Sequence, residues 1–117
     1  MAIEFRSGCP IATTLDLVGD RWTLVLLRDM LNGKSRFSDF LASPERITTN
    51  VLTDRLTRME AAGLVEKKRY AERPKRYAYS LTQMGGDLRP VVQAMCRWAN
   101  RHVPGTWIPP EHFMAAS

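Results

Sequence analysis

Residues 37–82 carry the reading that decides the fold. Phe37-Ser38-Asp39-Phe40-Leu41 is a short amphipathic run, and Ile47-Thr48-Thr49-Asn50-Val51-Leu52 opens a second one. Ala62-Gly63-Leu64-Val65 stops that helix and starts a strand, Arg73-Pro74-Lys75-Arg76 forms a basic tip, and Tyr77-Ala78-Tyr79-Ser80-Leu81-Thr82 returns the chain. Two short helices, a glycine stop and a hairpin make the plan of a winged helix–turn–helix. The expected fold is mainly α with a small β-hairpin.

Within the block, Ile47 precedes Thr48, a residue type suited to an N-cap, so the turn is pinned to the core at a helix start. A helix from Thr49 to about Ala62 puts Leu52, Leu56 and Met59 on one face. At about 100° per residue, Asn50, Thr53, Asp54 and Thr57 fall roughly opposite. That outer face is small and polar and carries one acid, so it can approach base edges closely. The wing is expected over about 64–82, with Ala71 to Lys75 as its connection. Pro74 stiffens that loop, and Arg73, Lys75 and Arg76 can reach phosphates or a minor groove.

Working outward, Pro10 suits the first turn of a helix, with Ile11, Leu15 and Val18 at helical spacing before Gly19. Asp20 can cap the next helix, whose apolar stripe is Trp22, Leu26, Leu27, Met30 and Leu31. The run at Phe37 must end before Pro44. Beyond the hairpin, Thr82 can cap a last helix over about 83–103, although Gly85-Gly86 and Pro90 weaken its first turns. Its Leu88, Val91, Val92, Met95, Trp98 and Ala99 form an apolar surface broader than a single small core requires, which points to a second subunit. Residues 1–103 therefore read as one domain. Residues 104–117, with Pro104-Gly105 and Pro109-Pro110, read as an extended or mobile tail without a packed core.

The chain has 117 residues and a net charge of +5. Residues 34–76 hold eleven Lys/Arg against six Asp/Glu, while the remainder holds six of each, so the whole excess lies on the helix–turn–helix and hairpin. A polyanion would bind there. No apolar run approaches the roughly 20 residues of a membrane helix, and no signal peptide is apparent, which points to the cytoplasm. Cys9 and Cys96 are too few and too far apart for a zinc site of CxxC pairs, and no cofactor is expected. His102 and His112 lie in or near the tail, no nucleophile–base arrangement is suggested, and no phosphate-binding glycine loop appears, so the chain does not read as an enzyme. A protein-interaction module on the same scaffold would need an acidic or strongly apolar outer face on the Thr49 helix, and neither is present.

These residues resemble the HxlR-type family of bacterial winged helix–turn–helix transcriptional regulators, distant relatives of the MarR group. The likeness begins at Cys9-Pro10-Ile11 and runs through Leu17-Val18-Gly19-Asp20-Arg21-Trp22-Thr23 and Gly33-Lys34-Ser35-Arg36-Phe37-Ser38-Asp39-Phe40. It continues at Ile47-Thr48, Val51-Leu52-Thr53-Asp54-Arg55-Leu56, Glu60-Ala61-Ala62-Gly63-Leu64-Val65, Arg73-Pro74, Tyr79-Ser80-Leu81-Thr82, Gly85 and Trp98, covering about residues 8–102. Singly these motifs are weak, but in this order and spacing they are highly specific. The resemblance implies a homodimer joined by its N- and C-terminal helices, binding double-stranded DNA as a repressor, with a small molecule or an oxidant as effector. It makes Arg36 a phosphate anchor, and the charge pattern adds Arg46, Arg73, Lys75 and Arg76 as expected DNA contacts. Thr48, Thr49, Asn50 and Thr53 lie where such proteins meet the bases. The family often has Pro-Lys where this chain has Thr49-Asn50, and Asn pairs bidentately with adenine, so base preference is expected to differ. Cys9 matches a cysteine that senses oxidants in several members. Sensing needs an accessible, activated thiol, which a helix start and the nearby Arg6 would favour, whereas a small interface residue is the alternative. Cys96 reads as buried filler.

Overall fold

Pro10 opens the first helix, α1 (Pro10–Val18), with Cys9 at its N-cap, and the Gly19 N–H closes it on the Leu15 carbonyl at 2.7 Å. The computed structural model describes residues 4–115. α2 (Thr23–Leu31) follows, one residue later than Trp22 suggested. The N-cap position falls on Trp22 rather than on Asp20, but the Asp20 carboxylate still accepts from the N–H groups of Trp22 at 2.9 Å and Thr23 at 3.1 Å at the helix start. α3 (Phe37–Leu41) is a turn and a half, started by Asp39 accepting from the N–H of Arg36 at 3.1 Å and of Ser35 at 3.3 Å. α4 (Thr49–Ala61) is capped by the Thr48 hydroxyl, which accepts from the Val51 N–H.

α4 ends where Gly63 adopts φ +81°, with its N–H on the Glu60 carbonyl at 3.0 Å and that of Leu64 on Met59 at 2.9 Å. This double closure needs a left-handed residue, which glycine supplies without a Cβ penalty. The chain then enters an antiparallel hairpin, β1 (Val65–Glu72) and β2 (Lys75–Leu81), in register from Val65 opposite Leu81 to Glu72 opposite Lys75, with a bulge between Arg69 and Ala71. The strands run further than expected, so only Arg73-Pro74 connects them rather than Ala71 to Lys75. The wing is also tied back to the helices. The Tyr79 N–H donates to the Ser35 carbonyl at 2.7 Å, and Arg36 bridges to Ala78 as a rudimentary third strand.

The single last helix expected after Thr82 is in fact two. Thr82 caps α5 (Gln83–Gly86) by accepting from the Gly85 N–H at 3.1 Å, and α6 (Arg89–His102) starts afresh with Pro90 in its first turn. Gly85 lies so close to the preceding segment that a Cβ there would sit 2.1 Å from the Leu64 carbonyl oxygen. The close approach requires glycine at 85, whereas a Cβ at Gly86 would meet open space.

The main core gathers Leu26, Phe40, Leu52, Leu56, Met59 and Leu64, each at most 2% exposed, between α2, α3, α4 and the base of the wing. Burying a side chain of this size contributes about 1.5–3 kcal/mol, which is why three short helices hold together. A second cluster corrects the tail. Residues 104–115 fold back, α7 (Glu111–Met114) forms, and Phe113 is fully buried against Leu27 and Val92. The C-terminal segment is therefore packed, not an extended appendage; residues 1–3 and 116–117 lie outside the described residues. Val92, read as an interface residue, belongs to this internal core, and Leu88 bridges both clusters.

Candidate nucleic-acid interface

α4 presents its polar side outward because Leu52, Leu56 and Met59 are consumed by the core. Thr48, Thr49, Asn50, Thr53 and Thr57 are all exposed. The Thr53 hydroxyl donates to the Thr49 carbonyl at 3.0 Å and that of Thr57 to Thr53 at 2.8 Å, so both oxygens face solvent as acceptors. The Asn50 amide has no intramolecular partner among the described residues, leaving donor and acceptor edges unspent. The one acid of the face, Asp54, is held by Arg55 and by Arg58 at 3.1 Å, and Arg55 also reaches Asp20 at 2.9 Å. Its charge is thereby masked toward an approaching polyanion.

Arg46 stands in the turn before α4 with φ +61°, a left-handed conformation that a side chain rarely adopts. Its N–H closes on the Ser43 carbonyl at 3.1 Å, and its side chain is exposed. Arg36, Lys75 and Arg76 converge on one groove of about 370 Å³ between α3 and the wing, together with Tyr70, Tyr77 and Tyr79. The Arg36 guanidinium lies 4.4 Å from the Tyr70 ring centre, which fixes it along the wing. Among the described residues none of these three cations has a carboxylate partner, unlike Arg69, which pairs with Glu72 at 3.1 Å. Arg73 sits at the wing tip, apart from the groove.

Sequence reasoning missed the polar framework that positions the turn between α3 and α4. Asp29, 3% exposed on α2, accepts from the buried Ser43 hydroxyl and from Arg28 at 2.8 Å. Arg28 in turn grips Glu45 with two bonds at 2.6 and 2.8 Å, and the Lys34 ammonium approaches Ser43 at 3.3 Å. The bonds from Arg28 hold the Glu45 carboxyl below its ordinary range against a smaller cost of burial. A signal existed: Asp29 falls on the buried stripe between Leu26 and Met30, where a lone carboxylate needs partners.

Cys9 is exposed at the start of α1, and Arg6 is committed to Asp16 through a 2.6 Å bond. Cys96 is partly buried against the second cluster, and burial pushes its thiol pKa up. On α6, Val91, Met95 and Trp98 are 38%, 52% and 64% exposed, and on α1 Ile11 and Leu15 are 73% and 53% exposed. Ala99 is partly covered. These helices thus display apolar side chains that the protomer does not bury. Among the described residues no helix is long and apolar enough to cross a membrane, and no cluster of His, Cys, Asp and Glu could hold a metal ion.

A family model described as HxlR-like helix-turn-helix matches residues 17–106. YdeP and YybR, two uncharacterized HTH-type transcriptional regulators of Bacillus subtilis, are 37% and 39% identical to the chain. The alignments cover 87% and 84% of the chain, and 83% and 80% of the relatives' own lengths. Among solved structures, the redox regulator HypR in its oxidized form superposes with a TM-score of 0.73 at 37% identity, over 80% of this chain and 97% of that one. The reduced form of the transcriptional regulator YodB from B. subtilis gives 0.68 at 27% identity, over 86% and 100%.

Proposed function

The chain belongs to the HxlR-like helix–turn–helix family, whose relatives are transcriptional regulators rather than enzymes, and from that premise we propose that it is a homodimeric, sequence-specific repressor. The observation that carries this reading is the division of labour on one surface: an exposed, small and nearly neutral face on α4 beside a groove of unpaired cations. Arg36, Arg46, Arg73, Lys75 and Arg76 supply phosphate contacts, which give affinity without sequence information. Thr48, Thr49, Asn50 and Thr53 meet base edges, with Asn50 directed to adenine. Two copies related by a twofold axis cover the apolar side chains of α1 and α6, including Val91, Met95, Trp98 and Ala99. They set two α4 helices about one DNA turn (~34 Å) apart. Such a dimer, in the cytoplasm, blocks a promoter by occupying it.

One pair of titrations tests the assignment. Asn50→Ala is expected to cut discrimination between operator and random DNA by about 1–3 kcal/mol. Lys75→Ala is expected to weaken both DNAs alike and to flatten the salt dependence by about one unit. Equal losses on both DNAs for Asn50→Ala, or an unchanged salt slope for Lys75→Ala, would remove that residue from its role.

We extend the proposal to an oxidant signal, with a small-molecule effector as the alternative. The support is the exposed Cys9 at a helix start and the likeness to HypR, a redox regulator. Oxidation of Cys9 is expected to release the DNA, whereas burial pushes the Cys96 thiol pKa up and makes it less reactive. A gel shift with and without peroxide checks this: Cys9→Ser should abolish the response, and a response that survives the substitution sinks the redox role.

A further inference from the structure

The backbone of Arg36 is held from two directions. Its N–H donates to the Asp39 carboxylate at 3.1 Å, and the residue bridges to Ala78 of β2, next to the 2.7 Å bond from the Tyr79 N–H to the Ser35 carbonyl. Its side chain is exposed and takes part in no ion pair among the described residues. An arginine free to turn about all its side-chain bonds loses much rotamer freedom on meeting a phosphate. Here the guanidinium lies 4.4 Å from the centre of the Tyr70 ring. Tyr70 owes its aim to an irregularity of the wing. Arg69 stands opposite Tyr77 and Ala71 opposite Arg76, so Tyr70 is the extra residue of the bulge, without a partner on β2. A bulge takes a side chain out of the regular alternation of its strand. Arg36 flanks β2 on the edge away from β1, since Ala78 stands between it and Lys68, so its side chain crosses β2 to reach that ring.

We propose that Tyr70 is a positioning residue for DNA binding: its ring seats the Arg36 guanidinium across the wing, ready for a backbone phosphate. The face of the ring attracts the cation, while the N–H edge of the guanidinium stays free for a bidentate pair with phosphate oxygens. Stacking uses the face and the phosphate uses the edge, so both contacts hold at once. The seat also works against repulsion. Lys75 and Arg76 line the same groove, and like charges favour an untethered Arg36 swinging away from them. Tyr70 acts only through Arg36 in this role, and the proposal rests on the phosphate contact given to Arg36 above. Tyr70 is 41% exposed and belongs to neither core cluster, so replacing it leaves the fold in place.

Tyr70→Leu and Tyr70→Phe are compared with wild type, with Arg36→Ala, and with the double variant Tyr70→Leu plus Arg36→Ala. Tyr70→Leu is expected to weaken operator and random DNA alike by about fivefold, with a melting curve near wild type. Tyr70→Phe keeps the ring and should stay within about twofold of wild type. Arg36→Ala should flatten the salt dependence by about one unit, and adding Tyr70→Leu to it should cost nothing further. In the DNA-free protein the ring current should move the Arg36 side-chain protons upfield in an NMR spectrum, and Tyr70→Leu should abolish that shift. Wild-type affinity for Tyr70→Leu, losses that add in the double variant, a Tyr70→Phe as weak as Tyr70→Leu, or no ring-current shift overturns the proposal. An Arg36→Ala protein that binds DNA like wild type instead overturns the phosphate contact of Arg36, and the positioning role falls with it. A failure confined to Tyr70 leaves Arg36→Ala weak, so the two failures are distinct. If Tyr70→Leu does not fold, Tyr70→Thr, a residue suited to an exposed strand, carries the same comparison.

Discussion

Phe113→Ala is expected to destabilise the protein by about 3–5 kcal/mol, the range for removing a buried aromatic ring. The ring sits at 0% exposure between Leu27 of α2 and Val92 of α6, themselves 0% and 6% exposed, so its removal leaves a void lined on two sides by packed aliphatics. Neither neighbour can collapse into it, because each lies on a helix fixed by other contacts. The loss also frees the edge of Trp107 and loosens the backbone that accepts from Gln93, a buried amide that then lacks its partners. A fall in Tm of more than about 10 °C should be seen in a thermal melt. A chain ending at residue 110 should lose as much. A change below about 1 kcal/mol in both would mean that the C-terminal segment is an appendage after all, as a surface residue would give.

The tail was illegible for a definite reason. Pro104-Gly105 and Pro109-Pro110 are strong breakers, which on sequence alone imply an absence of packing, whereas here they steer the chain back across α2 and α6. One isolated Phe carries no periodicity, and its partners Leu27 and Val92 are 65 residues apart in sequence. Val92 shows the complementary error. On helical spacing alone it belongs with Val91, Met95 and Trp98, and only the returning segment separates the buried residue from the exposed ones. What depends on local chemistry was legible. The Asp20 bonds at the start of α2, the Thr48 cap, the Gly63 stop, the amphipathic α4 and the basic hairpin each follow from residues within a few positions of one another. The polar outer face of α4 followed from the buried one, since 3.6-residue periodicity fixes both at once. The site's framework did not, because Asp29, Ser43 and Glu45 meet only after α2 and α3 pack, and no short-range pattern connects them.

Asp29→Ala should have the second largest effect, about 3 kcal/mol, since it breaks a buried, hydrogen-bonded pair rather than a surface one. Two facts separate Asp29 from the other ion pairs. Its side chain is 4% exposed, and it is shared between Arg28 and the Ser43 hydroxyl. Removing it leaves a buried hydroxyl without its acceptor, while Arg28 keeps Glu45. The Arg69–Glu72 pair on the wing is the contrast: Glu72 is 77% exposed there, and Arg69→Ala should shift stability by less than about 0.5 kcal/mol. Chemical denaturation measures both. A double substitution, Asp29→Ala with Ser43→Ala, should cost less than the sum of the single ones by about 1 kcal/mol, because the second change removes the group the first had orphaned. Strict additivity would mean that the hydroxyl and carboxylate do not depend on each other. The functional consequence follows from where the network ends. Ser43 and Glu45 belong to the turn that delivers Arg46 and Thr48 to the start of α4, so operator affinity should fall further than the unfolded fraction accounts for. A folded Asp29→Ala protein with wild-type operator affinity would show that α4 is aimed by its apolar face alone, through Leu52, Leu56 and Met59.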